Sequence, residues 1–327
     1  MNQPLLTLLF TAYSLSPCSI TQVQGGWAAN AYLVISNQRH YFLKVFDKHR
    51  STAQYWIQKI PYYISILHHL HKHTPFKKEI IMPICTKENS CWYENEDFLL
   101  MLYPYIQGEV LGDTHLSLPQ QKELAAIIAN LHLHGSQVPK DLLTDRETFD
   151  PSFGDSLKTL IKNNYEDHSL VQKATAPYTY ILLESISKLQ SDAYVLRKNA
   201  LPYVLCHTDL HGWNLIQSKK LLLLDWEGLK FAPAEADLFS FSEGFFFDYA
   251  LDPVIKTYQQ IHPQYQINQT ALTYYQLRRR IEDVTEFIQS ILFDGLCEKK
   301  ILLYLSHIEK EGLQLRKILS PKKTFPL

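Results

Sequence analysis

The sequence has no long hydrophobic run and almost no net charge, and each absence excludes a class of function. No apolar stretch approaches the ~20 residues of a membrane span, since Asp225 ends the leucine run at 221–224. The 327 residues carry 32 basic and 33 acidic side chains, a net charge of −1. This balance gives no attraction to a polyanion. We therefore expect a soluble protein that binds neither a membrane nor nucleic acid.

Cysteine is scarce and shows no pairing pattern. The five cysteines, an odd number, stand at positions 18, 85, 91, 206 and 297 without Cys-x-x-Cys spacing. Such a pattern predicts reduced thiols and a cytoplasmic protein. The apolar segment 5–15 has no basic residue before it, so it predicts an amphipathic helix rather than a signal peptide.

The most informative segment is residues 206–214, CHTDLHGWN, which a short predicted hairpin separates from LDWE at 224–227. In kinases, an Asp at the start of such a loop accepts the proton of the substrate hydroxyl. An Asn five positions later and an Asp after the next strand hold Mg²⁺ against the phosphates of ATP. The spacing therefore predicts phosphoryl transfer, with Asp209 as catalytic base and Asn214 and Asp225 as metal ligands.

A metal-dependent hydrolase is the alternative interpretation of this segment. His207, Asp209 and His211 alternate like the ligands of a hydrolytic site, and imidazole with carboxylate suits Zn²⁺ or Fe. This interpretation leaves Asn214 and Asp225 without a role.

Two N-terminal segments predict contacts with phosphate. Gly25 and Gly26 lie between two predicted strands, where backbone amides could approach triphosphate oxygens. Lys44 lies in the alternating strand 41–46 and would project into the same cleft. A Gly-Gly pair is also a common hairpin turn, and a strand Lys often faces solvent. The order of loop, strand and Lys favours the nucleotide site.

The usual acidic partner of such a Lys is missing. Kinase-like folds pair it with a Glu of the next helix, yet between Lys44 and Lys78 the only acidic residue is Asp47. The predicted helix 52–71 also contains Pro61, which should break or kink it. We predict that a Gln or Tyr of this helix orients Lys44, or that the nucleotide alone holds it. A catalytically weak, nucleotide-binding pseudokinase stays open.

At the catalytic loop, the chain resembles the aminoglycoside phosphotransferase family, the small-molecule branch of the protein-kinase-like fold. It is most similar to the spectinomycin phosphotransferases, in residues 24–26, 41–44, 205–207, 274–275 and 280–283. The resemblance implies an α+β, two-lobe fold with a small mixed-sheet N-lobe and a mostly helical C-lobe. We expect a nucleotide-binding lobe over residues 1–103 and a catalytic and substrate-binding lobe over residues 104–327. ATP and Mg²⁺ are the implied cofactors.

The resemblance also implies where adenine and the acceptor bind. Main-chain groups of the linker, at Tyr103 and Tyr105, are expected to meet adenine. The implied acceptor is a small hydroxylated antibiotic, an aminocyclitol or aminoglycoside such as spectinomycin, whose protonated amines need carboxylates. Glu282, Asp283 and Glu286 can converge on one ligand because they share one side of a predicted helix. The alternative function is that of a kinase for a housekeeping metabolite, which would be an amino alcohol or a sugar.

Apolar spacing predicts the remaining elements. We expect strands at 79–84, 97–102, 215–217 and 221–224, and helices at 120–134, 271–293 and 298–319, with a helical insert over 141–194.

Overall fold

The computed structural model describes residues 2–16, 19–23, 29–162, 169–242 and 251–320. The chain forms two compact units. The first contains Met1–Asp145, Leu205–Lys230 and Pro253–His262; the second contains Arg146–Val204, Phe231–Asp252 and Pro263–Leu327. These units are defined by packing, and the lobe boundary after residue 103 stays a prediction.

The first unit begins with a helix and a five-stranded sheet. The elements are α1 (Asn2–Tyr13), β1 (Ser19–Val23), β2 (Asn30–Ser36), β3 (Arg39–Asp47), β4 (Tyr93–Glu94) and β5 (Phe98–Pro104), in strand order β1-β2-β3-β5-β4. The strand pairs in this sheet are antiparallel. Leu5 and Leu9 of α1 share a buried core with Leu43 and Val45 of β3. Because side chains alternate along a strand, Lys44 projects from the other face.

The second helix of this unit runs through its proline. α2 extends from Ser51 to His73 with Pro61 inside it, so Pro61 does not break the helix, and a kink at that residue stays a prediction. A helix proline removes one backbone hydrogen bond. Ile60, Tyr63 and Ile64 are buried around it, and their burial offsets a loss of about 3 kcal/mol.

The strand predicted at 79–84 is also wrong. A 3₁₀ turn covers Pro75–Lys78, and residues 80–86 have no regular structure. Ile84 N–H donates to the main-chain oxygen of Leu102 at 2.6 Å, so the segment touches β5 at one point. Pro83 has no N–H, which prevents a continuous ladder.

The helix predicted at 120–134 and the strands predicted at 97–102, 215–217 and 221–224 are present, together with short strands that were not predicted. α3 (Leu118–Gly135) begins with a capping box between Ser117 and Gln120. The short strand β6 (Glu109–Val110) lies beside the hairpin of β8 (Leu215–Gln217) and β9 (Leu221–Leu223). β7 (Val204–Cys206) leads into the predicted catalytic loop, and β10 (Lys230–Ala232) follows the turn after Asp225.

The second unit is mainly helical. Its helices are α4 (Phe153–Lys162), α5 (Ser169–Thr175), α6 (Thr179–Lys198), α7 (Glu235–Leu238), α9 (Gln269–Phe293) and α10 (Glu298–Leu319); α8 (Leu251–Gln259) lies where the chain crosses between the units. The predicted helical insert and the two final helices are confirmed. The long helix α9 packs against α4, α6 and α10. None of the helices in the described ranges is long and apolar enough to cross a membrane.

Candidate active site

The predicted catalytic loop is fixed to the turn that follows β9. His207 is fully buried, its Nε2 lies 2.9 Å from the main-chain oxygen of Leu224, and its Nδ1 accepts the N–H of Asp209 at 3.3 Å. Thr208 has a left-handed backbone (φ 68°) and its hydroxyl donates to Gly228 O at 2.7 Å. Both ring nitrogens of His207 therefore serve the backbone, which leaves the hydrolase interpretation without one of its ligands.

Asp209 and Asn214 are hydrogen-bonded to each other. Asn214 Nδ2 lies 2.9 Å from Asp209 O and 3.1 Å from Asp209 Oδ2, and His211 Nε2 lies 3.3 Å from the same carboxylate oxygen. The Asp209 side chain is 36% exposed, so a substrate hydroxyl can reach it. Because Nδ2 of Asn214 is the atom that faces Asp209, its Oδ1 is left as an acceptor for a cation.

Asp225 follows the end of β9 after one intervening residue, Leu224, so it stands after the strand as predicted. Its backbone is left-handed, with φ 67° and ψ 67°, and the 3₁₀ turn Trp226–Gly228 follows. A Cβ at Gly228 would lie 2.7 Å from both His207 O and Thr208 Oγ1. The turn after Asp225 is thus in close backbone contact with the catalytic loop, and the Leu224 N–H donates to the main-chain oxygen of Asn214 at 2.9 Å.

Lys44 reaches this segment from β3. Its ammonium forms an ion pair with Asp225 and a second ion pair, of 2.6 Å, with Glu227 Oε1. The structure therefore brings together Lys44 and Asp225, which are 181 positions apart. The two residues were predicted to serve one nucleotide site.

The predicted partners of Lys44 are wrong. Gln54 donates to Lys48 O at 2.6 Å and Tyr62 donates to Asp145 O at 3.4 Å, so neither reaches the ammonium. The partner that the prediction missed is Glu227. The sequence Asp-Trp-Glu at 225–227 could have indicated it, because it puts a second carboxylate two positions after the metal-ligand candidate.

Tyr103, a predicted adenine contact, lies near Lys44. The buried Tyr63 donates to the sulfur of Met101 at 3.2 Å. Burial raises the pKa of Tyr103 to about 12, and the nearby Lys44 ammonium opposes the rise. Tyr105 is 46% exposed, and its N–H donates to His40 O at 3.4 Å. The adenine contacts of Tyr103 and Tyr105 stay predictions, and Gly25 and Gly26 lie outside the described residues.

In the second unit, the predicted acceptor carboxylates have basic neighbours. Arg278 Nε lies 2.9 Å from Glu282 Oε1, and Arg279 Nε lies 3.0 Å from Asp283 Oδ1. Glu286 is exposed on the same helix. The arginines precede their partners by one helical turn, a spacing that the sequence already shows. Nothing in these contacts tests the acceptor role, which stays a prediction.

Residues 19–265 match the model of the phosphotransferase enzyme family, and the chain belongs to this family. No curated protein matches the chain in sequence. A structure of spectinomycin phosphotransferase APH(9)-Ia, in complex with ADP and spectinomycin, has a TM-score of 0.78 at 21% identity. That match covers 96% of this chain and 98% of that chain.

Two kinases of small metabolites have the same fold. Choline kinase LicA from Streptococcus pneumoniae matches with a TM-score of 0.63 at 15% identity, over 96% of this chain and 99% of that chain. A microcompartment-associated aminopropanol kinase matches with a TM-score of 0.62 at 14% identity, over 97% of each chain. At these identities the likenesses show the fold.

The predictions on family, fold and reaction class are confirmed. The protein is a phosphotransferase with a kinase-like fold. The cofactor prediction, ATP with Mg²⁺, is confirmed for this family of kinases. The donor set fits that metal, because Mg²⁺ prefers oxygen ligands and Asp225 and Asn214 supply a carboxylate and an amide oxygen. Which residues hold the cofactors is a proposal.

Proposed function

We propose that this protein transfers the γ-phosphoryl group of ATP to a hydroxyl of a small cationic acceptor, with spectinomycin as the first candidate. The observation that supports the reaction is that Lys44, Asp225, Asn214 and Asp209 all lie in the first unit and form two contacting pairs. An ion pair joins the first two, and a hydrogen bond joins the last two.

Asp209 handles the acceptor hydroxyl in this proposal. Its partly exposed carboxylate accepts the hydroxyl proton as the acceptor oxygen bonds to the γ-phosphorus, and the bond from that phosphorus to the leaving ADP oxygen breaks. Asn214 fixes the orientation of that carboxylate through Nδ2. Preorganisation of this kind contributes to rate because less reorientation is needed in the transition state.

Asp225 and Asn214 are the proposed ligands of Mg²⁺. When bound, the ion neutralises charge on the phosphates. Asp225 is suited to this role because its side chain is 32% exposed and so can exchange its present partner, Lys44, for another cation. Lys44 is the proposed phosphate contact, together with the loop at Gly25 and Gly26. The linker at Tyr103 and Tyr105 is the proposed adenine contact.

For the acceptor, the fold neighbours support a molecule that carries both a cation and a hydroxyl. The spectinomycin enzyme has the higher TM-score, 0.78, against 0.63 and 0.62 for the choline and aminopropanol kinases. An aminocyclitol antibiotic is therefore the first candidate for the acceptor, and antibiotic resistance is the role that its phosphorylation would imply. A kinase of a metabolic amino alcohol is the second, because two neighbours act on such molecules.

We propose Glu282, Asp283 and Glu286 as the carboxylates that meet the acceptor amines. Two of them pair with arginines, so an acceptor amine would join existing ion pairs. We also propose that the enzyme works in the cytoplasm on a small molecule and not on nucleic acid. Its described cysteines, Cys85, Cys91, Cys206 and Cys297, are not joined in disulfides, which agrees with a reducing compartment.

The test is ADP formation with Mg-ATP over a panel of spectinomycin, streptomycin, kanamycin, choline, ethanolamine and a neutral sugar. We expect turnover above the rate without acceptor only with amine-bearing alcohols, and the highest kcat/KM with spectinomycin. Highest kcat/KM with choline or ethanolamine would replace the antibiotic by a metabolite. ATP binding without transfer to any acceptor would support the pseudokinase instead.

A further inference from the structure

Lys44 has two acidic partners, and the second has no role in the site described so far. The Glu227 side chain is 11% exposed, against 32% for Asp225. An ion pair shielded from water is screened less and holds its geometry better than an exposed one. Of the two carboxylates on Lys44, Glu227 is therefore the one that belongs to the protein interior.

The turn that carries Glu227 is held by its neighbour. Trp226 is 5% exposed, and its ring meets Phe76 and His207 edge-on, with centroids 6.0 and 5.0 Å apart. These contacts pack the turn against a side chain that follows α2 and one of the catalytic loop. The Glu227 carboxylate thus approaches Lys44 from a packed backbone segment.

The local charge count shows that one carboxylate is in excess. Within the described part of the chain, Lys44 is the only basic side chain that pairs with Asp225 or Glu227. One ammonium against two partly buried carboxylates leaves a net charge of −1, which is costly unless a second cation arrives. If Asp225 binds Mg²⁺, Glu227 is the carboxylate that keeps its ion pair with Lys44.

Helix α2 cannot provide that partner. Its 23 residues contain neither Asp nor Glu, whereas kinase-like folds place the partner of this Lys on that helix. Tyr63 of α2 is buried and gives its hydroxyl to Met101. The acidic partner has to come from elsewhere in the chain.

We propose that Glu227 is the positioning residue of Lys44 and replaces the helix glutamate that this chain lacks. It acts through the Lys44 ammonium, which it holds toward the phosphates, and not on the metal or the acceptor. This inference rests on the proposed function and deepens it. It predicts that Glu227 matters for nucleotide binding only as long as Lys44 is present.

The test is a double-mutant cycle on the affinity for Mg-ATP, measured by calorimetry with Glu227→Gln, Lys44→Ala and the double variant. We expect Glu227→Gln to weaken binding about 10-fold to 100-fold, the range for a lost charged hydrogen bond. In the Lys44→Ala background, the same change should have almost no effect. Glu227→Asp, which keeps the charge but shortens the side chain, should show a smaller loss than Gln.

Glu79→Gln is the matched control, because Glu79 also forms an ion pair in the first unit, 2.7 Å long, with Lys220. It should bind Mg-ATP like the parent. Equal losses from Glu227→Gln in both backgrounds would overturn the proposal, since Glu227 would then act on the metal or on the fold. Parental affinity in Glu227→Gln would overturn it as well.

Thermal melting of each variant distinguishes misfolding from lost binding. If Glu227→Gln does not fold, Glu227→Asp replaces it in the double-mutant cycle. The cycle measures binding and needs no acceptor. Failure of the proposed function would appear in the acceptor panel, as ATP binding without transfer, while failure of the positioning role would appear in the cycle.

Discussion

Nδ2 of Asn214 lies 3.1 Å from the Asp209 carboxylate and 2.9 Å from the Asp209 main-chain oxygen. The proposed base and a proposed metal ligand are therefore one hydrogen-bonded unit. A change in either residue is expected to affect the other, yet their roles predict different losses.

Asp209→Asn should separate binding from chemistry. The amide keeps the shape of the side chain and can still accept from Asn214, but it cannot take a proton. We expect kcat to fall by about 10²-fold or more, with the Mg-ATP affinity almost unchanged. Steady-state rates with the best acceptor and calorimetry with Mg-ATP check this. Asp155→Asn, at an exposed ion pair with Lys158, is the control. Parental turnover by Asp209→Asn would remove that residue from the chemistry.

Asp225→Ala should weaken Mg-ATP much more than metal-free ATP. The carboxylate acts on the nucleotide through the cation, and in the variant Glu227 still holds Lys44. Asn214→Ala should show the same preference with a smaller loss. Affinities measured with Mg²⁺ and with EDTA test this. Equal losses under both conditions, or activity that depends on Zn²⁺ at equimolar levels, would contradict the assigned metal role.

Asp283→Asn should raise the KM for the acceptor and leave the KM for ATP unchanged. Loss of a charged hydrogen bond to an acceptor amine corresponds to about 1.5–3 kcal/mol. Arg279→Gln is the informative companion, because it frees the Asp283 carboxylate from its ion pair and should lower the acceptor KM. Acceptor constants that stay unchanged in Glu282, Asp283 and Glu286 variants, or a preferred acceptor without an amine, would remove the aminocyclitol assignment.

Gly212→Ala should destabilise the first unit. A Cβ at Gly212 would lie 2.0 Å from the main-chain oxygen of Gly112, so two backbone segments have to separate. We expect a loss of about 2–3 kcal/mol in the free energy of unfolding, the upper range for overpacking. Gly295→Ala is the comparison. The φ of 60° at Gly295 brings strain of about 1–2 kcal/mol for alanine, but a Cβ there would meet no atom within 4 Å beyond its chain neighbours. Urea denaturation of both variants should rank Gly212→Ala as the less stable.

Several parts of the fold were predictable because their causes are local. The β8–β9 hairpin follows from two short apolar runs around a polar turn, and α3 begins at the Ser117–Gln120 capping box. The two failures both involve a proline. Pro61 disfavours a helix, yet buried neighbours keep α2 continuous. Residues 79–84 read as a strand, yet the ladder stops where Pro83 has no N–H to donate.

The sequence by itself determined the reaction class, because Asp209, Asn214 and Asp225 lie within one short segment whose spacing predicts phosphoryl transfer. Only the tertiary structure decided the partner of Lys44. Glu227 is 183 positions away along the chain, and which carboxylate meets the ammonium depends on how β3 and the turn after β9 pack, not on local pattern. Local hydrogen bonds and apolar spacing depend on residues that are close in the sequence, so the sequence alone predicts them. A long-range ion pair is set when burial brings distant segments together, since a desolvated charge requires a partner.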